Sequence, residues 1–468
     1  MTSVRKKSNL IEGPIFGRIF TYALPMMLTG ILQLLYNAAD TVVVGRFSEN
    51  AEISLAAVGS TGSLTTLILN LILGLSAGST VVVAQAYGAK NAREVERAVH
   101  TSIAISIIGG IVFALIGMIG ARFFLGLTGV SDDVIGKATL YMRICFSGVP
   151  ASIIYNFGSA ILRATGDTKR PLIILSTTGI VNVVFNLIFV IVFRLDVAGV
   201  ALATIIAQYL SAAVVLILLI RSNDCIKLSL KALRLDKSIT VKIIRIGLPS
   251  GIQGCMFSIS NVIIQSSVNT FPEHVVAGNT VGGNLEGFTY VAMNSFHHAA
   301  LAFSGQNYGA KKYTRLNRIL LFSLIQVIAV GFLFSFAELF FGENLVHLYN
   351  DEPQIVEAAL NRMRIVLPLY CLCGAMEVLV GQLRGMGYSF VPMISSVLCA
   401  CVFRSLWAIF VFGHFGTPFW LYISYPISWA LTVILHGLTL TVVKIKLARR
   451  LKRESAFKEE VLYAQKLS

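Results

Sequence analysis

The stretch Gln85-Ala-Tyr-Gly-Ala-Lys90 returns later in the chain as Gln306-Asn-Tyr-Gly-Ala-Lys311, 221 residues away. Two further matches share this offset: Met142-Arg-Ile144 recurs at 363–365, and the spacing of Arg163, Gly166 and Pro171 recurs at 384, 387 and 392. Leu24-Pro25 also recurs, at 248–249, after 224 residues. Matches in one register predict an internal duplication, so we expect two structurally equivalent halves.

Around these motifs the chain is strongly apolar. Of its 468 residues 56% are hydrophobic and 13% charged, and the mean hydropathy is +0.77. Soluble domains are about 45–50% apolar and about 25% charged, so an ordinary water-soluble protein is excluded. We count twelve apolar stretches long enough to cross a bilayer as helices: 17–44, 54–83, 98–120, 135–158, 171–193, 197–220, 241–268, 276–303, 317–341, 356–381, 391–412 and 418–443.

The duplication and the spans together predict an all-α membrane protein of twelve transmembrane helices in two six-helix lobes. Six is an even number, so both lobes have the same orientation, related by a pseudo-twofold axis along the membrane normal. We place the lobes at 1–220 and 241–445, joined by a cytoplasmic linker at 221–240 and followed by a basic cytoplasmic tail at 446–468. Two lobes that face one another enclose a cleft, and rocking one lobe against the other exposes this cleft to alternate sides of the membrane. The architecture therefore predicts transport.

The net charge of +15 is explained by topology. Of the 38 Lys and Arg residues, 30 fall in the terminal segments and the even-numbered loops, which by the positive-inside rule places both termini in the cytoplasm. We therefore expect an integral protein of a prokaryotic plasma membrane in contact with lipids, and no nucleic-acid partner. The first span is long and lacks a small-residue cleavage site, so we expect it to be retained. The seven cysteines predict neither a disulfide framework nor a metal site.

Polar side chains inside spans are costly, so each is a candidate functional residue. In the first span Gln33, Tyr36, Asn37 and Asp40 share one helix face. A carboxylate there can exchange a proton or bind Na⁺ with neighbouring oxygens. The alternative places Asp40 at the outer water interface.

Other spans offer further polar groups. Asn182, Asn186 and Thr204 supply neutral oxygens, or serve only as hydrogen bonds between helices. The second half carries polar residues at helical spacing in spans 7, 8 and 10, together with Arg404 in span 11: Gln253, Asn261, Gln265, Glu286, Tyr290, Met293, Asn294, His297 and Glu377. As the alternative to ion coupling, Glu286 or Glu377 forms a structural ion pair with Arg404. The repeat offsets map Asp40 onto Ile264 and Glu286 onto Thr65, so the chemistry of the two lobes is expected to differ.

Four segments carry a family resemblance: LPMMLTGILQLLYNAADTVVVGRF (24–47), AQAYGAKN (84–91), LRATGDTKRP (162–171) and GQNYGAKK (305–312). They resemble the multidrug and toxic compound extrusion (MATE) family over essentially the whole chain. The resemblance implies export of lipophilic, often cationic compounds against inward flow of Na⁺ or H⁺, with Asp40 as a cation-coupling residue. Many prokaryotic members have Asn-x-x-x-Asp in helix 5, whereas this chain has Asn182-x-x-x-Asn186. Helix 7 also lacks the Glu of some members, so coupling rests on Asp40 alone or on Asp40 with Glu286 and Glu377.

We therefore predict a cation-coupled antiporter, without a cofactor, that works as a monomer. Its coupling set is Asp40, Asn182, Asn186, Thr204, Glu286 and Glu377; its substrate cleft is lined by Gln33, Tyr36, Asn37, Asn261, Gln265, Tyr290, Met293, Asn294 and His297. The alternative is a flippase for a lipid-linked or other amphipathic precursor, which a cationic cavity around Arg404, Arg143 or Arg364 would favour. An enzyme is disfavoured because H-E-x-x-H does not occur and the one G-x-S-x-G match, at 74–78, lies inside the second apolar span.

Overall fold

The computed structural model describes residues 10–47, 51–127 and 132–467, in which every regular element is a helix and no strand occurs. Three basic residues counted above, Arg5, Lys6 and Lys7, lie outside them. The first half holds α1 (Ile15–Phe47), α2 (Ala51–Gly88), α3 (Ala92–Leu127), α4 (Asp132–Ala164), α5 (Lys169–Leu187) and α6 (Asp196–Ile220). The second half holds α7 (Lys237–Val268), α8 (Glu273–Gly309), α9 (Tyr313–Phe340), α10 (Gly342–His347), α11 (Pro353–Val366), α12 (Cys371–Gly385), α13 (Phe390–Ser396), α14 (Phe403–Trp407), α15 (Gly413–Phe415), α16 (Pro418–Tyr422) and α17 (Ser424–Leu467).

Each of the twelve predicted spans coincides with helix, although several are interrupted. Within the described ranges, nine helices are long and apolar enough to cross a membrane, or ten if α11 and α12, bent by 47°, form one span. The remaining two predicted spans are α7 and α8, whose polar side chains lower their hydropathy. Turns of π-helix interrupt the fifth and eleventh spans, at Ile188–Val192, Val397–Val402 and Ala408–Phe412. Adding 221 to the first of these segments gives 409–413, which overlaps the π turn at Ala408–Phe412. The duplication therefore extends to this irregularity.

The two halves contact each other through closely packed helices. A Cβ on Gly74 of α2 would lie 2.1 Å from the amide nitrogen of Gly251 in α7, so only glycine permits this approach. Further along the same helices, Asn70 Nδ2 donates to Ser258 Oγ at 2.8 Å. The α2–α7 contact is therefore backbone against backbone, as in other membrane helix pairs built on small residues.

The duplicated motif forms a reciprocal contact on the side of the membrane where α1 begins, which we call the amino-terminal side. A Cβ on Gly88 would lie 2.0 Å from the carbonyl oxygen of Gln306, and a Cβ on Gly309 would lie 2.0 Å from that of Gln85. The Gln85 amide donates to the carbonyl of Gly385 at 2.9 Å, and the Gln306 amide donates to the carbonyl of Ala164 at 2.7 Å. Each half thus caps a helix end in the other half.

The connection between the halves is packed against α3. His100 Nε2 accepts a hydrogen bond from the Ser229 amide at 3.0 Å. Asp236 caps α7 by accepting from the Ile239 amide at 3.1 Å, and the Arg97 guanidinium donates to its carboxylate at 2.8 Å. This hydrogen bond from Arg97 lowers the pKa of Asp236. The segment is therefore docked on the first half.

Candidate functional site

The polar residues of α1, α5 and α6 meet inside the first half. Asn182 and Asn186 are one turn apart on α5 and both are buried, and the Asn186 amide donates to the carboxylate of Asp40. In the Asn182 amide orientation that suits its neighbours, its nitrogen donates to Asp40 Oδ1 at 3.1 Å and its oxygen accepts from Thr204 Oγ1 at 3.2 Å. The structure thus joins all four residues into one cluster, within which Asp40 is half-buried.

This cluster presents an oxygen beside the carboxylate. Asn186 Oδ1 is buried and has no hydrogen-bond partner among the described residues. An unpaired amide oxygen inside a membrane protein is costly unless a ligand satisfies it. The π turn at Ile188–Val192 begins two residues after Asn186, and such turns are frequent at functional sites. The arrangement of carboxylate and amide oxygens is suited to a cation.

The rest of the α1 face has mixed surroundings. The Tyr36 hydroxyl donates to the carbonyl of Ser176 at 3.2 Å, and its ring lies over Gly179, where a Cβ would approach the ring to 1.9 Å. Tyr36 therefore packs against α5 as well as facing outward in part. Gln33 and Asn37 are exposed.

In the second half Glu286 forms a buried ion pair with Arg362. The guanidinium of Arg362 donates to both carboxylate oxygens, at 2.9 and 2.8 Å, and also to Asn279 Oδ1 at 2.6 Å. The alternative offered by the sequence, a pair of Glu286 with Arg404, is thus wrong. The bend between α11 and α12 and the small residue Gly282 bring Arg362 onto α8 instead.

Glu377 has a different partner from the one expected. His297 Nδ1 lies 3.1 Å from Glu377 Oε2 and 2.9 Å from the Glu377 carbonyl oxygen. Both side chains are buried, so α8 and α12 are joined here. The alternative pair of Glu377 with Arg404 is also wrong, because His297 lies beside the carboxylate.

Arg404 is buried among aromatic rings. Its Nε donates to Ser428 Oγ at 2.7 Å, and its Cζ lies 4.4 Å from the centre of the Tyr425 ring and 5.9 Å from that of Trp429. Stacking of a guanidinium on aromatic faces is favourable, particularly when it is desolvated.

Comparison with known proteins identifies the family. The MatE family model matches residues 25–188 and 249–409, most of the chain and both halves of the duplication. The chain belongs to the MatE family. It is therefore a multidrug-efflux (MATE) type of integral membrane transporter and not an enzyme. The resemblance inferred from the sequence is confirmed.

Individual relatives of this MATE protein are distant but cover it almost fully. It is 25% identical to "Probable multidrug resistance protein YoeA" of Bacillus subtilis, over 88% of this chain and 91% of that one. It is 23% identical to the "FAD transporter" of Shewanella oneidensis, over 85% and 88%. A crystal structure titled "Outward-facing conformation of a multidrug resistance MATE family transporter of the MOP superfamily" superposes with a TM-score of 0.86 at 20% identity, covering 96% of this chain and all of that one. These matches confirm the fold of twelve helices in two lobes.

The other residues expected to line the cleft of this MATE protein are dispersed. Asn261 and Tyr290 are exposed, and Asn294 Nδ2 lies 3.5 Å from the Tyr290 hydroxyl. Gln265 accepts from Asn279 at 3.2 Å and so extends the network around Arg362. Met293 is 1% exposed and packs against Gly331 and Gly374, which removes it from any open surface. His297 is likewise buried.

Two charged residues of the second half were overlooked in the sequence. Arg362 stands in the tenth predicted span, and Glu338 stands near the end of the ninth. Glu338 is buried and accepts from Thr289 Oγ1 at 2.7 Å, while its Oε2 has no partner within the described ranges. The rule applied to Asp40, that an ionisable group within a span is a candidate, would have found both.

Proposed function

We propose that this MATE protein is a cation-coupled antiporter that exports amphipathic, often cationic organic compounds by alternating access. The observation that carries the proposal is the Asp40 cluster, in which a carboxylate lies beside the unpaired oxygen of Asn186. Binding of a cation there satisfies both groups and neutralises a charge inside the membrane.

The donor set favours a monovalent ion. Asp40 supplies one carboxylate, and Asn182, Asn186 and Thr204 supply only neutral oxygens, whereas divalent cations take sites richer in carboxylates. A proton on Asp40 and a Na⁺ ion among these oxygens neutralise the same charge. We propose that Na⁺ or H⁺ is the coupling ion and that Glu286 and Glu377, which have cationic or imidazole partners, serve mainly to hold the second half together.

The proposed cycle uses the duplicated halves as moving bodies. We place the lobes at 1–220 and 241–445, with the amino-terminal side in the cytoplasm, and we propose that a single chain suffices. The contacts of Gln85 with Gly385 and of Gln306 with Ala164 then close the cytoplasmic side of the cleft. Gln33, Asn37, Asn261 and Tyr290 are exposed residues proposed to line it.

The test is substrate efflux from proteoliposomes under separately imposed gradients. A Na⁺ gradient at equal pH and a pH gradient at equal Na⁺ are compared, with ethidium as an amphipathic cation. Antiport predicts accelerated efflux under one or both gradients. Efflux that responds to neither gradient would exclude the proposal.

One observation favours a second candidate, a flippase for lipid-linked precursors. Such precursors carry phosphates, and the buried guanidiniums of Arg384 and Arg404 have no carboxylate within 4.0 Å among the described residues. Flipping of a lipid-linked phosphate in proteoliposomes, unaffected by ion gradients, would favour this candidate over antiport.

A further inference from the structure

The duplication identifies a counterpart of the Asp40 cluster in the second half. Adding 221 to Asn182, Asn186 and Thr204 gives Phe403, Trp407 and Tyr425, and adding 224 to Asp40 gives Ile264. These positions belong to α7, α14 and α17. The carboxylate and the two amides of the Asp40 cluster are thus replaced by apolar or aromatic side chains. Only the Thr204 hydroxyl has a counterpart with a hydroxyl, on Tyr425.

Arg404 supplies the charge of this counterpart. It follows Phe403, and its guanidinium is stacked on Tyr425, the equivalent of Thr204, at 4.4 Å. A site built around one negative charge in the first half therefore corresponds to a site built around one positive charge in the second half. The chain carries opposite charges at the two equivalent places.

The guanidinium of Arg404 is not neutralised by a neighbouring acid. Across the described part of the chain no carboxylate lies within 4.0 Å of it, whereas Arg362 is held by both oxygens of Glu286. Ser428 engages Nε alone, at 2.7 Å. A buried arginine in a membrane span is costly and normally pairs with an acidic group. Here the two terminal nitrogens of the guanidinium have no protein hydrogen bond in the described ranges.

We propose that Arg404 binds the acidic group of an amphipathic substrate. The guanidinium fork matches the two oxygens of a carboxylate or a phosphate, and the rings of Tyr425 and Trp429 offer apolar faces beside it. The Asp40 cluster and its counterpart around Arg404 carry one charge each. When the coupling cation neutralises Asp40, the charge of Arg404 is the one that still lacks a partner. The inference rests on the proposed transport function and adds that, among its amphipathic substrates, those that carry an acidic group bind more tightly.

The experiment compares two ligands that differ by one group. A zwitterionic fluoroquinolone and its methyl ester, which lacks only the carboxylate, are bound to the full-length protein in lipid nanodiscs without ion gradients, and Kd is measured by equilibrium dialysis. We expect the acid to bind about tenfold more tightly than the ester, as expected for a hydrogen-bonded charge pair. In Arg404→Gln the acid should bind as weakly as the ester, while the affinity for the ester is unchanged.

Two variants complete the design. Arg364→Gln removes the same charge from an exposed position of α11 and should preserve the preference for the acid. Arg404→Lys keeps the charge without the fork and should retain part of the preference. Equal affinities for acid and ester in the wild type, or equal losses for both ligands in Arg404→Gln, would overturn the proposal. Because no gradient is applied, these results are independent of whether transport is coupled to a cation.

Discussion

At Asp40, two amides of α5 hold the charge of the side chain, and no basic residue pairs with it among the described side chains. The Asn186 amide donates to this carboxylate, and Asn182 links it to Thr204. Within the described ranges the carboxylate is therefore not neutralised, and we propose that a mobile cation neutralises it. This distinguishes Asp40 from Glu286, whose charge is balanced by Arg362.

The first prediction concerns Asp40→Asn. Asparagine preserves the shape and the hydrogen bonds to α5 but cannot take up a proton or attract Na⁺, so gradient-driven ethidium efflux should fall by about tenfold or more while ethidium binding persists. Efflux is measured in proteoliposomes and binding in detergent. Asp351→Asn, whose carboxylate is 89% exposed, is the control and should transport normally. Undiminished efflux in Asp40→Asn would remove the residue from the mechanism.

The second prediction concerns the buried pair of Glu286 and Arg362. Glu286→Gln leaves the guanidinium without a counter-charge, and loss of one partner of such a pair costs about 3–5 kcal/mol, so the Tm should fall clearly. Arg362→Met combined with Glu286→Gln should recover much of the loss. Glu343→Gln, at an exposed site, is the control. A double variant as unstable as Glu286→Gln would contradict the charge-balance account.

The pairing of charges could not be predicted from the sequence. Asp40, Asn182, Asn186 and Thr204 were identified as candidates, because each is a polar group within an apolar span. The partner of Glu286 depends on the 47° bend between α11 and α12, which sets the position of Arg362 and leaves no periodic signal. The sequence offered Arg404 as a partner of Glu286 or Glu377 because it contains no information on the distances between these side chains.

Among the elements, α2 and α8 meet where the duplicated motif ends. The reciprocal approach of Gly88 to Gln306 and of Gly309 to Gln85 leaves no space for a side chain. The backbone repeats as well, since Lys90 and Lys311 both have a φ of 57°. The motif therefore encodes a contact between halves, which explains its presence in both copies.

The third prediction tests this contact with Gly88→Ala. The new Cβ would meet the Gln306 carbonyl at 2.0 Å and should separate the halves on the amino-terminal side. Spin labels at the equivalent exposed positions 93 and 314, in a background without native cysteines, should report longer distances by electron paramagnetic resonance. Labels at 119 and 340, equivalent positions 79% and 83% exposed near the other ends of α3 and α9, should report shorter ones.

Gly109→Ala provides the matched control, because a Cβ there meets nothing within 4 Å and the gain in helix propensity is the same. It should leave both distance distributions unchanged. Identical distributions in Gly88→Ala and wild type would show that the α2–α8 contact does not govern closure.

At this scale the sequence was informative. Long apolar runs predicted all twelve spans, including α7 and α8, whose polar faces weaken the hydropathy signal. Breaks inside spans were not predicted: the π turns at Ile188–Val192 and Ala408–Phe412 lie within apolar sequence that is indistinguishable from regular helix. Each begins within two residues of one of two equivalent positions, Asn186 and Trp407.

For the whole molecule, the duplication has produced halves of one fold with opposite chemistry. The first half carries Asp40, the proposed cation ligand, and the equivalent place in the second half carries Arg404 beside aromatic rings. In a transporter whose halves rock about a shared axis, exchange of ion and substrate requires that both be bound by one moving cleft. The proposed antiport therefore requires both halves, and we expect neither half to suffice.

The most direct test of this exchange is the ion flux that a substrate gradient drives. Proteoliposomes are loaded with ethidium, no ion gradient is imposed, and movement of ²²Na⁺ and of protons is followed as ethidium leaves. The account predicts ion movement opposite to ethidium in the wild type and none in Asp40→Asn. Ethidium efflux without any counterflow of ions, or equal counterflow in Asp40→Asn, would contradict it.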